Sequence, residues 1–286
     1  METRVSSPTI EVIIGGDRPT VLIGERINPA GKKKLAEALK SGDLEIVRRE
    51  ALAQVQAGAD ILDVSVSLFG VDEVALLPKA VQAVIGAVDI PLCLDSTNAE
   101  ALEAALKVYK GKPIINSVTG EERSLAKVLP LVKDYGAAVI GLVQDDQGIP
   151  KNSERRIAVA NKIVERAEAV GISRENIIID CLAFAVGADN GSGPAVLEAI
   201  QKIKAELGVN LTLGGSNVSF GLPDRNLLND AFVVMAIAAG VTCLIVDVAK
   251  VRSAVVAADL ILGRDKHARR YIEDYRQRQR LREGKE

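Results

Sequence analysis

Acidic, carboxamide and hydroxyl side chains stand at or just after the ends of short apolar runs, where they are well placed to do chemistry. They are Glu25, Asn28, Asp63, Ser65, Asp95, Ser96, Asn98, Asn116, Gln144, Asp145, Asp180, Asn217 and Asp247. A buried carboxylate must find hydrogen-bond donors or lose its charge. A planar heterocycle with a ring amide and an amino group offers two parallel N–H donors to one carboxylate. The set therefore predicts a site for such a heterocycle, with capping as the alternative for single members such as Ser96 and Asn98.

The one histidine of the chain, His267, lies in a charged stretch near the C-terminus. Ser-His-Asp triads, two-histidine metal sites and the HExxH motif all need a histidine inside the active site. The sequence instead favours a solvated surface histidine at this position. Cys93, Cys181 and Cys243 are too few and too scattered for a disulfide framework, and strand cysteines usually behave as small hydrophobes. We therefore expect no intrinsic metal.

The composition argues against several classes of partner. Lys and Arg number 36 against 38 Asp and Glu, a net charge of -2, whereas nonspecific nucleic-acid binding needs a strong basic excess. Aromatic residues are 3% of the chain and tryptophan is absent, which disfavours stacking platforms for single strands. The N-terminus lacks a signal-peptide pattern, and the most apolar stretch, 231–246, is short for a bilayer span. These features predict a soluble, cytoplasmic protein without nucleic-acid or membrane partners.

Short apolar runs alternate with stretches in which apolar residues recur every three or four positions. The runs are 21–23, 61–66, 91–94, 113–115, 137–143, 177–179, 210–213 and 242–246. Their spacing of about 32 residues is that of a strand plus crossover helix, and continuous apolar strands imply a parallel sheet buried on both faces. Eight such units predict an α/β protein with one domain over 1–286, a (β/α)8 TIM barrel over 21–263. A doubly wound open sheet is disfavoured, because its Gly-rich turn is missing after the first strand.

Two additions flank the predicted barrel. Residues 9–14 and 19–23, joined by a Gly-containing turn, predict an N-terminal hairpin over 9–23 that plugs the bottom of the barrel. The tail over 264–286 carries nine basic and five acidic residues and predicts a C-terminal helix. That helix is either solvated or docks an acidic partner or a second subunit. The sequence leaves this choice open.

Five motifs resemble those of the pterin-binding methyltransferase family and follow the family's order. They are IGERIN at 23–28, LCLDSTN at 92–98, IINS at 114–117, IID at 178–180 and GSNVS at 215–219. The resemblance extends over residues 21–250, and five ordered motifs are far more specific than any one of them. The family includes the methyltetrahydrofolate:corrinoid protein methyltransferases and the folate module of cobalamin-dependent methionine synthase, with dihydropteroate synthase as a more distant relative.

The resemblance implies roles for individual residues. Asp95, Asn116 and Asp180 would hydrogen-bond the pterin ring, and Asp180 would take the paired donors at N3 and the 2-amino group. Asn217 would be the catalytic residue, because it matches the asparagine that reaches N5, the nitrogen that carries the methyl group. Cys181 stands where proline often follows the aspartate, so the loop shape there is expected to differ.

The remaining candidate residues are less closely tied to the family pattern. Asp63, Ser65 and Asn98 complete the pterin-binding set, although Ser65 stands where relatives often carry asparagine. Arg225 and Lys250 either pair with the carboxylates of the folate tail or are solvated.

The activity implied by the resemblance is transfer of the N5 methyl group between methyltetrahydrofolate and a corrinoid cobalt. A separate corrinoid protein would supply the cobalt, because DKHARR at 265–270 has arginine where a corrinoid-binding loop has glycine. The resemblance also implies a homodimer. Dihydropteroate synthase chemistry is one alternative, although its loop cations are missing after the sixth, seventh and eighth strands. A non-catalytic pterin-binding subunit is the other.

Overall fold

The computed structural model describes residues 1–283 and contains an eight-stranded parallel barrel, which confirms the predicted fold class. The barrel strands are β3 (Val21–Ile27), β4 (Ile61–Ser65), β5 (Leu92–Asp95), β6 (Ile114–Thr119), β7 (Ala138–Leu142), β8 (Ile177–Asp180), β9 (Asn210–Thr212) and β10 (Cys243–Val246). Each strand lies beside the next in the sequence, and β10 pairs with β3. The cylinder closes because the Ile245 N–H donates to Leu213 O and the Gly215 N–H to Ile245 O, both at 3.1 Å.

Helices follow the barrel strands and pack around them. They are α1 (Lys33–Ser41), α2 (Glu45–Gln56), α3 (Glu73–Ile85), α4 (Ala99–Val108), α5 (Glu122–Asp134), α6 (Ser153–Ala169), α7 (Ser192–Leu207), α8 (Arg225–Ala239), α9 (Val248–Ile261) and α10 (Arg269–Glu283). In α5 the buried residues Leu125, Val128, Leu129 and Val132 recur at three- and four-residue spacing, so one face packs inward. Among residues 1–283 no helix is both long and apolar enough to cross a bilayer.

The strands separate two apolar cores, as expected of a parallel sheet covered on both faces. Ile23, Ile61 and Cys93 belong to the cluster inside the barrel. Their neighbours Leu22 and Leu62 belong to the larger cluster between the sheet and the helices. The alternation follows from the two-residue period of a strand, and it places the polar residues near the strand ends inside the cylinder.

The N-terminal hairpin consists of β1 (Glu2–Ser6) and β2 (Glu11–Gly15), paired antiparallel. The predicted pairing of 9–14 with 19–23 is wrong, since Val21 begins β3, which pairs with β10 in the barrel. The predicted plug is confirmed: Val5 and Ile14 are fully buried in the apolar cluster inside the barrel. The Asn210 amide fastens the hairpin by donating to Thr3 Oγ1 at 2.9 Å and Ile14 O at 3.1 Å.

The C-terminal helix α10 packs on α9, and its inner side contacts charged groups of the barrel itself. Asp274, which is 3% exposed, accepts from Ser253 Oγ at 3.0 Å and pairs with Arg252 at 3.3 Å. Arg270 pairs with Asp259 at 3.4 Å. The outer side of α10 is exposed, and His267, just before the helix, is exposed as predicted. Residues 284–286 of the predicted tail lie outside the described residues.

Candidate functional site

A cavity of about 780 Å³ opens at the C-terminal ends of the barrel strands. Its lining is mostly polar: Glu25, Arg26, Asn28, Ala30, Gly31, Lys32, Asp63, Asp95, Asn116, Asp180, Gly214, Ser216, Asn217, Phe220, Arg225, Asn226, Asn229, Ile245, Val246, Asp247, Lys250 and Val251. The apolar filling of the barrel stops below this level, because the inward-facing positions change from Ile and Cys to Asp and Asn. The cavity is large enough for a bicyclic heterocycle and part of its substituent.

Three predicted residues, Asp63, Asp95 and Asn116, lie together on neighbouring strands β4, β5 and β6. The strand register sets Asp95 directly beside Asn116. The Asn116 amide Nδ2 donates to Asp63 Oδ1 at 3.1 Å. Because this bond uses the amide nitrogen, the carbonyl Oδ1 of Asn116 is left to accept from a ligand.

Burial controls the charge of this acidic wall. Burial, together with the nearby negative charge of Asp95, raises the pKa of Asp63 well above its ordinary range. Burial also raises the pKa of Asp95 to about 6, against the lowering effect of a hydrogen bond with Ser65. Two carboxyl groups this close do not ionise together readily, so a proton on the pair is favoured on Asp63, the more deeply buried of the two.

Asp180 ends β8 and presents a carboxylate with one protein hydrogen bond among the described residues. Its Oδ1 accepts from the Leu182 backbone N–H at 2.7 Å, whereas Oδ2 has no such partner. Burial raises the pKa of Asp180 to about 7, while the Leu182 N–H and the Arg156 guanidinium oppose the rise. The free oxygen and the cavity position suit a ligand with N–H donors.

Asn217 lies half-way around the barrel from Asp95, in the loop after β9, and opens a short 3₁₀ helix (Asn217–Ser219). Its side chain packs closely on Gly214, where an added Cβ would stand 2.7 Å from the amide Nδ2. Glycine is therefore required at 214 for Asn217 to keep this position. Asp95 and Asn217 face each other across the cavity, as expected for groups that grip different parts of one ligand.

Charged side chains hold the loops around the mouth. Glu25 accepts from Ser216 Oγ at 2.7 Å, and burial raises the pKa of Glu25. The Arg225 guanidinium donates to Ser216 O at 2.7 Å and Ser219 Oγ at 3.0 Å. Arg225 therefore supports the loop that carries Asn217 as well as lining the cavity.

The other cations at the cavity are engaged by the protein. Lys32 Nζ donates to the backbone carbonyls of Glu25, Arg26 and Asn28 at 3.2–3.3 Å. Arg26 pairs with Glu50 at 2.6 Å. The predicted tail contact Lys250 lines the cavity but pairs with Asp247 at 3.1 Å.

Two of the predicted pterin-binding residues, Asn98 and Ser65, do not line the cavity. Asn98 caps α4 by accepting from the Glu100 N–H at 3.0 Å, which is the alternative role expected of it from the sequence. Ser65 is 2% exposed and acts on Asp95 through a hydrogen bond rather than on the cavity directly. Asn98 lies outside the cavity because the chain turns outward after β5. Ser65 lies beside Asp95 in the strand register, so it contacts that carboxylate instead of the cavity.

Several lining residues were not in the predicted set, notably Arg26, Lys32, Ser216 and Phe220. Arg26 lies in the motif GERIN and Ser216 in the motif GSN, so their positions in these motifs could have identified them as site residues. Lys32 and Phe220 carry no comparable signal. The structure brings them to the cavity through loop paths that a sequence pattern does not reveal.

The cysteines are free and buried, as their strand positions predicted. Burial raises the pKa of Cys243 to about 12 and that of Cys93 well above its ordinary range. Within residues 1–283 no three His, Cys, Asp or Glu side chains are grouped so as to hold a metal ion.

Solved structures share the fold. Dihydropteroate synthase from Yersinia pestis, solved with a pterine-sulfa conjugate, is 17% identical with a TM-score of 0.71 and covers 92% of this chain and 100% of its own. Dihydropteroate synthase from Clostridium difficile, solved in the presence of pteroic acid, is 24% identical with a TM-score of 0.66 over 86% of this chain and 97% of its own. At these identities the likeness shows the barrel alone.

Sequence relatives are more similar. Methylcorrinoid:tetrahydrofolate methyltransferase from Eubacterium limosum is 32% identical over 267 residues, covering 90% of this chain and 96% of the relative. Methionine synthase from Mycobacterium tuberculosis is 32% identical over 263 residues, and the chain spans 22% of that longer protein. The family model described as pterin binding enzyme matches residues 24–247. By this match and these identities, and with Asp63, Asp95, Asn116, Asp180 and Asn217 lining one cavity, the chain belongs to the pterin-binding enzyme family.

Proposed function

We propose that this protein moves the N5 methyl group between methyltetrahydrofolate and the cobalt of a corrinoid held by a partner protein. The observation that carries the proposal is the convergence of Asp95, Asn116, Asp180 and Asn217 on one cavity. A relative of nearly the same length is named for this reaction, and it matches 90% of this chain. The methionine synthase relatives are consistent with the same chemistry.

The pterin ring fits the acidic side of the cavity through its amide and amino groups. Asp180 Oδ2 would accept from N3–H, and the same carboxylate would accept from the 2-amino group, since a carboxylate has four acceptor positions. Asp95 and the free carbonyl of Asn116 would take the remaining ring donors. Asp63, which accepts a hydrogen bond from the Asn116 amide, would fix the orientation of that amide.

Asn217 would act at N5. When the methyl group leaves, the bonding electrons stay on nitrogen, so N5 needs a hydrogen bond or a proton as the C–N bond breaks. The Asn217 amide, on the wall opposite Asp95, is the donor that we assign to this nitrogen. A donor that binds more strongly in the transition state than in the ground state lowers the barrier. The proton itself would arrive through water or a hydrogen-bonded network.

The partner corrinoid supplies a cobalt centre that accepts or donates a methyl group. The chain's own part is to hold N5 facing the mouth of the barrel, where a second protein can approach. Phe220 and Phe69, which are 71% and 96% exposed, stand on loops that follow barrel strands at this end. Exposed aromatic side chains on these loops are consistent with a partner that docks over the open mouth.

Dihydropteroate synthase chemistry is less well supported. Displacement of diphosphate needs cations free to bind it. Lys32, Arg26 and Lys250 are each engaged by backbone carbonyls or carboxylates of the protein itself. The synthase structures resemble this chain in fold only.

The proposal is tested by calorimetry with methyltetrahydrofolate, followed by methylation of cob(I)alamin monitored by absorbance. We expect one folate site per chain and methyl transfer to cobalt. Binding without turnover would favour a non-catalytic pterin-binding subunit, and absence of binding would contradict the proposal. Sedimentation of the same sample tests the predicted homodimer. The absorbance spectrum of the purified protein tests the prediction that it carries no corrinoid or metal of its own.

A further inference from the structure

Arg156 is a buried cation that the proposed chemistry does not use. It lies in the first turn of α6, and the residue is 1% exposed. Arginine is rarely buried without an anionic partner. Among residues 1–283, however, no carboxylate lies within salt-bridge distance of its guanidinium. Burial of a guanidinium without an anionic partner costs free energy, so the burial of Arg156 requires a structural or functional reason.

The guanidinium bonds backbone carbonyls of two loops. Its Nε donates to Pro150 O at 2.9 Å, in the segment before α6. Its Nη1 donates to Cys181 O at 2.7 Å and to Leu182 O at 3.0 Å, in the segment directly after β8. It also lies 5.6 Å from the ring centroid of Phe184. One planar, rigid group therefore ties the loop after β8 to the start of α6.

This loop has a shape that needs support. Leu182 has φ of 52°, in the left-handed region that non-glycine residues enter at an energetic cost. In that conformation the Leu182 N–H points back to Asp180 Oδ1 at 2.7 Å. Arg156 binds the carbonyl of the same residue from the other side. The hydrogen bond from the Leu182 N–H fixes Oδ1 of Asp180, and Oδ2 stays available to a ligand in the cavity.

The guanidinium is also the cation that acts on Asp180. The titratable groups that face this carboxylate are Arg156 from α6, Cys181 from its own segment and Cys243 from β10. Burial raises the pKa of both thiols far above neutrality, so neither adds charge. Asp95 lines the same cavity, three strands away from Asp180 around the barrel. Arg156 is the group that opposes the effect of burial on Asp180 by its charge.

We propose that Arg156 is a positioning residue that shapes the loop after β8, favours the ionised form of the Asp180 carboxylate and aims it at the pterin. Asp180 must be ionised to accept two parallel N–H donors, since a protonated carboxyl has one acceptor oxygen fewer. The proposal rests on the proposed function for the ligand that Asp180 binds. Its electrostatic part concerns the unliganded protein and is tested without any ligand.

The test follows the carboxyl ¹³C resonance of Asp180 in protein labelled with [4-¹³C]aspartate, assigned by its loss in Asp180→Asn. In Arg156→Gln we expect the titration midpoint of Asp180 to move up by about one unit or more, because an opposite charge nearby typically lowers a carboxyl pKa by that amount. Arg156→Lys keeps the charge and should stay near the wild-type midpoint. The matched control is Arg155→Gln, on the same helix, whose guanidinium pairs with Asp145 at 2.9 Å. A wild-type midpoint in Arg156→Gln would overturn the proposal.

A second measurement separates this role from simple support of the fold. Methyltetrahydrofolate affinity of Arg156→Gln should fall about tenfold at pH 7 and recover toward the wild-type value at pH 9, where Asp180 is ionised in both proteins. An affinity loss that is the same at every pH would contradict the electrostatic role. If Arg156→Gln does not fold, Arg156→Lys decides: it keeps the charge, so the Asp180 midpoint and the folate affinity should stay near the wild-type values, and a midpoint raised by about one unit would overturn the proposal.

The outcomes separate the two proposals. If the wild-type protein binds no methyltetrahydrofolate, the proposed function fails, and the ¹³C titration still decides whether Arg156 controls Asp180. If folate binds but the titrations of wild type and Arg156→Gln coincide, the proposed function stands and the role of Arg156 fails.

Discussion

Two buried aspartates near opposite ends of the barrel differ in what surrounds their carboxylates. Asp259, beside the start of β3, is 0% exposed and accepts from the Thr20 N–H and Oγ1, both at 2.8 Å. Arg270 and Arg264 approach it at 3.4 Å and 3.8 Å. Asp180, at the C-terminal end of β8, is 5% exposed and receives one hydrogen bond, from Leu182. The first carboxylate is satisfied by the protein, and the second keeps an acceptor for a ligand.

The difference shows how one barrel divides its tasks. At the N-terminal end the hairpin seals the interior and polar side chains are used to fasten it. At the C-terminal end similar side chains are held in place while part of their hydrogen-bonding capacity stays unused. Unused capacity costs stability and is retained where binding needs it. Paired substitutions at the two ends test this division.

The largest effect is expected at the two asparagines, Asn217 and Asn210. Asn217→Ala should lower kcat by two to three orders of magnitude, or about 3–4 kcal/mol, because it removes the donor at N5. Folate affinity should change much less. Asn210→Ala should leave kcat near wild type and lower the free energy of unfolding by about 1–3 kcal/mol, because it breaks the bonds to Thr3 and Ile14. Steady-state kinetics and urea unfolding check both; unchanged turnover in Asn217→Ala contradicts its role.

The next largest effect is expected from removal of the Asp259 carboxylate. Asp259→Ala leaves the Thr20 N–H and two arginines without their buried partner and is expected to lower the free energy of unfolding by about 3 kcal/mol. Urea unfolding at pH 7 measures the change, with kcat compared below the transition. An effect of less than a few tenths of a kcal/mol would show that this end is not secured in the way described.

Substitution of Asp180 should change stability in the opposite direction, raising the free energy of unfolding. Burial raises its pKa to about 7 in the folded protein, above its ordinary value, so its ionisation destabilises the fold. The stability associated with the protonated group is fully present below about pH 4 and is lost as pH rises to 7. Asp180→Asn should therefore equal the wild type in stability near pH 4 and exceed it at higher pH, by a margin that grows by about 1.4 kcal/mol per pH unit until Asp180 is ionised. Urea unfolding over this range measures it, and a less stable Asp180→Asn at pH 8 would break the comparison.

The smallest effect is expected at glycine. Gly214→Ala places a Cβ 2.7 Å from Asn217 Nδ2 and should displace that amide, lowering kcat by about tenfold. Its counterpart at the other end is Gly16→Ala, whose Cβ would approach nothing closer than 3.5 Å, from Lys204. That variant should turn over at the wild-type rate. Equal kcat in the two variants would show that the packing of Gly214 does not position Asn217.

Most of the fold was predictable because strand spacing and apolar runs are local features. The hairpin was mispaired because β1 begins at the second residue and its partner is fixed by contacts across the barrel, such as that of Asn210 with Thr3. Asp95, Asn116 and Asp180 were predictable from strand ends and motifs. Asn98 lies outside the cavity because the chain turns away after β5, a path that strand spacing does not reveal. Arg156 was invisible, since an arginine on an amphipathic helix looks solvated until the carbonyls after β8 are seen around it.

The unused acceptor oxygen of Asp180 is the group that we expect to bind the pterin most directly. Calorimetric titration of methyltetrahydrofolate into wild type and Asp180→Asn at pH 8 tests it most directly, because Asp180 is then ionised and the variant differs by one charged oxygen. We expect binding by the wild type and an affinity at least about 100-fold weaker in the variant, as when a charged hydrogen-bond partner is removed from a buried site. Equal affinities in the two proteins would contradict it.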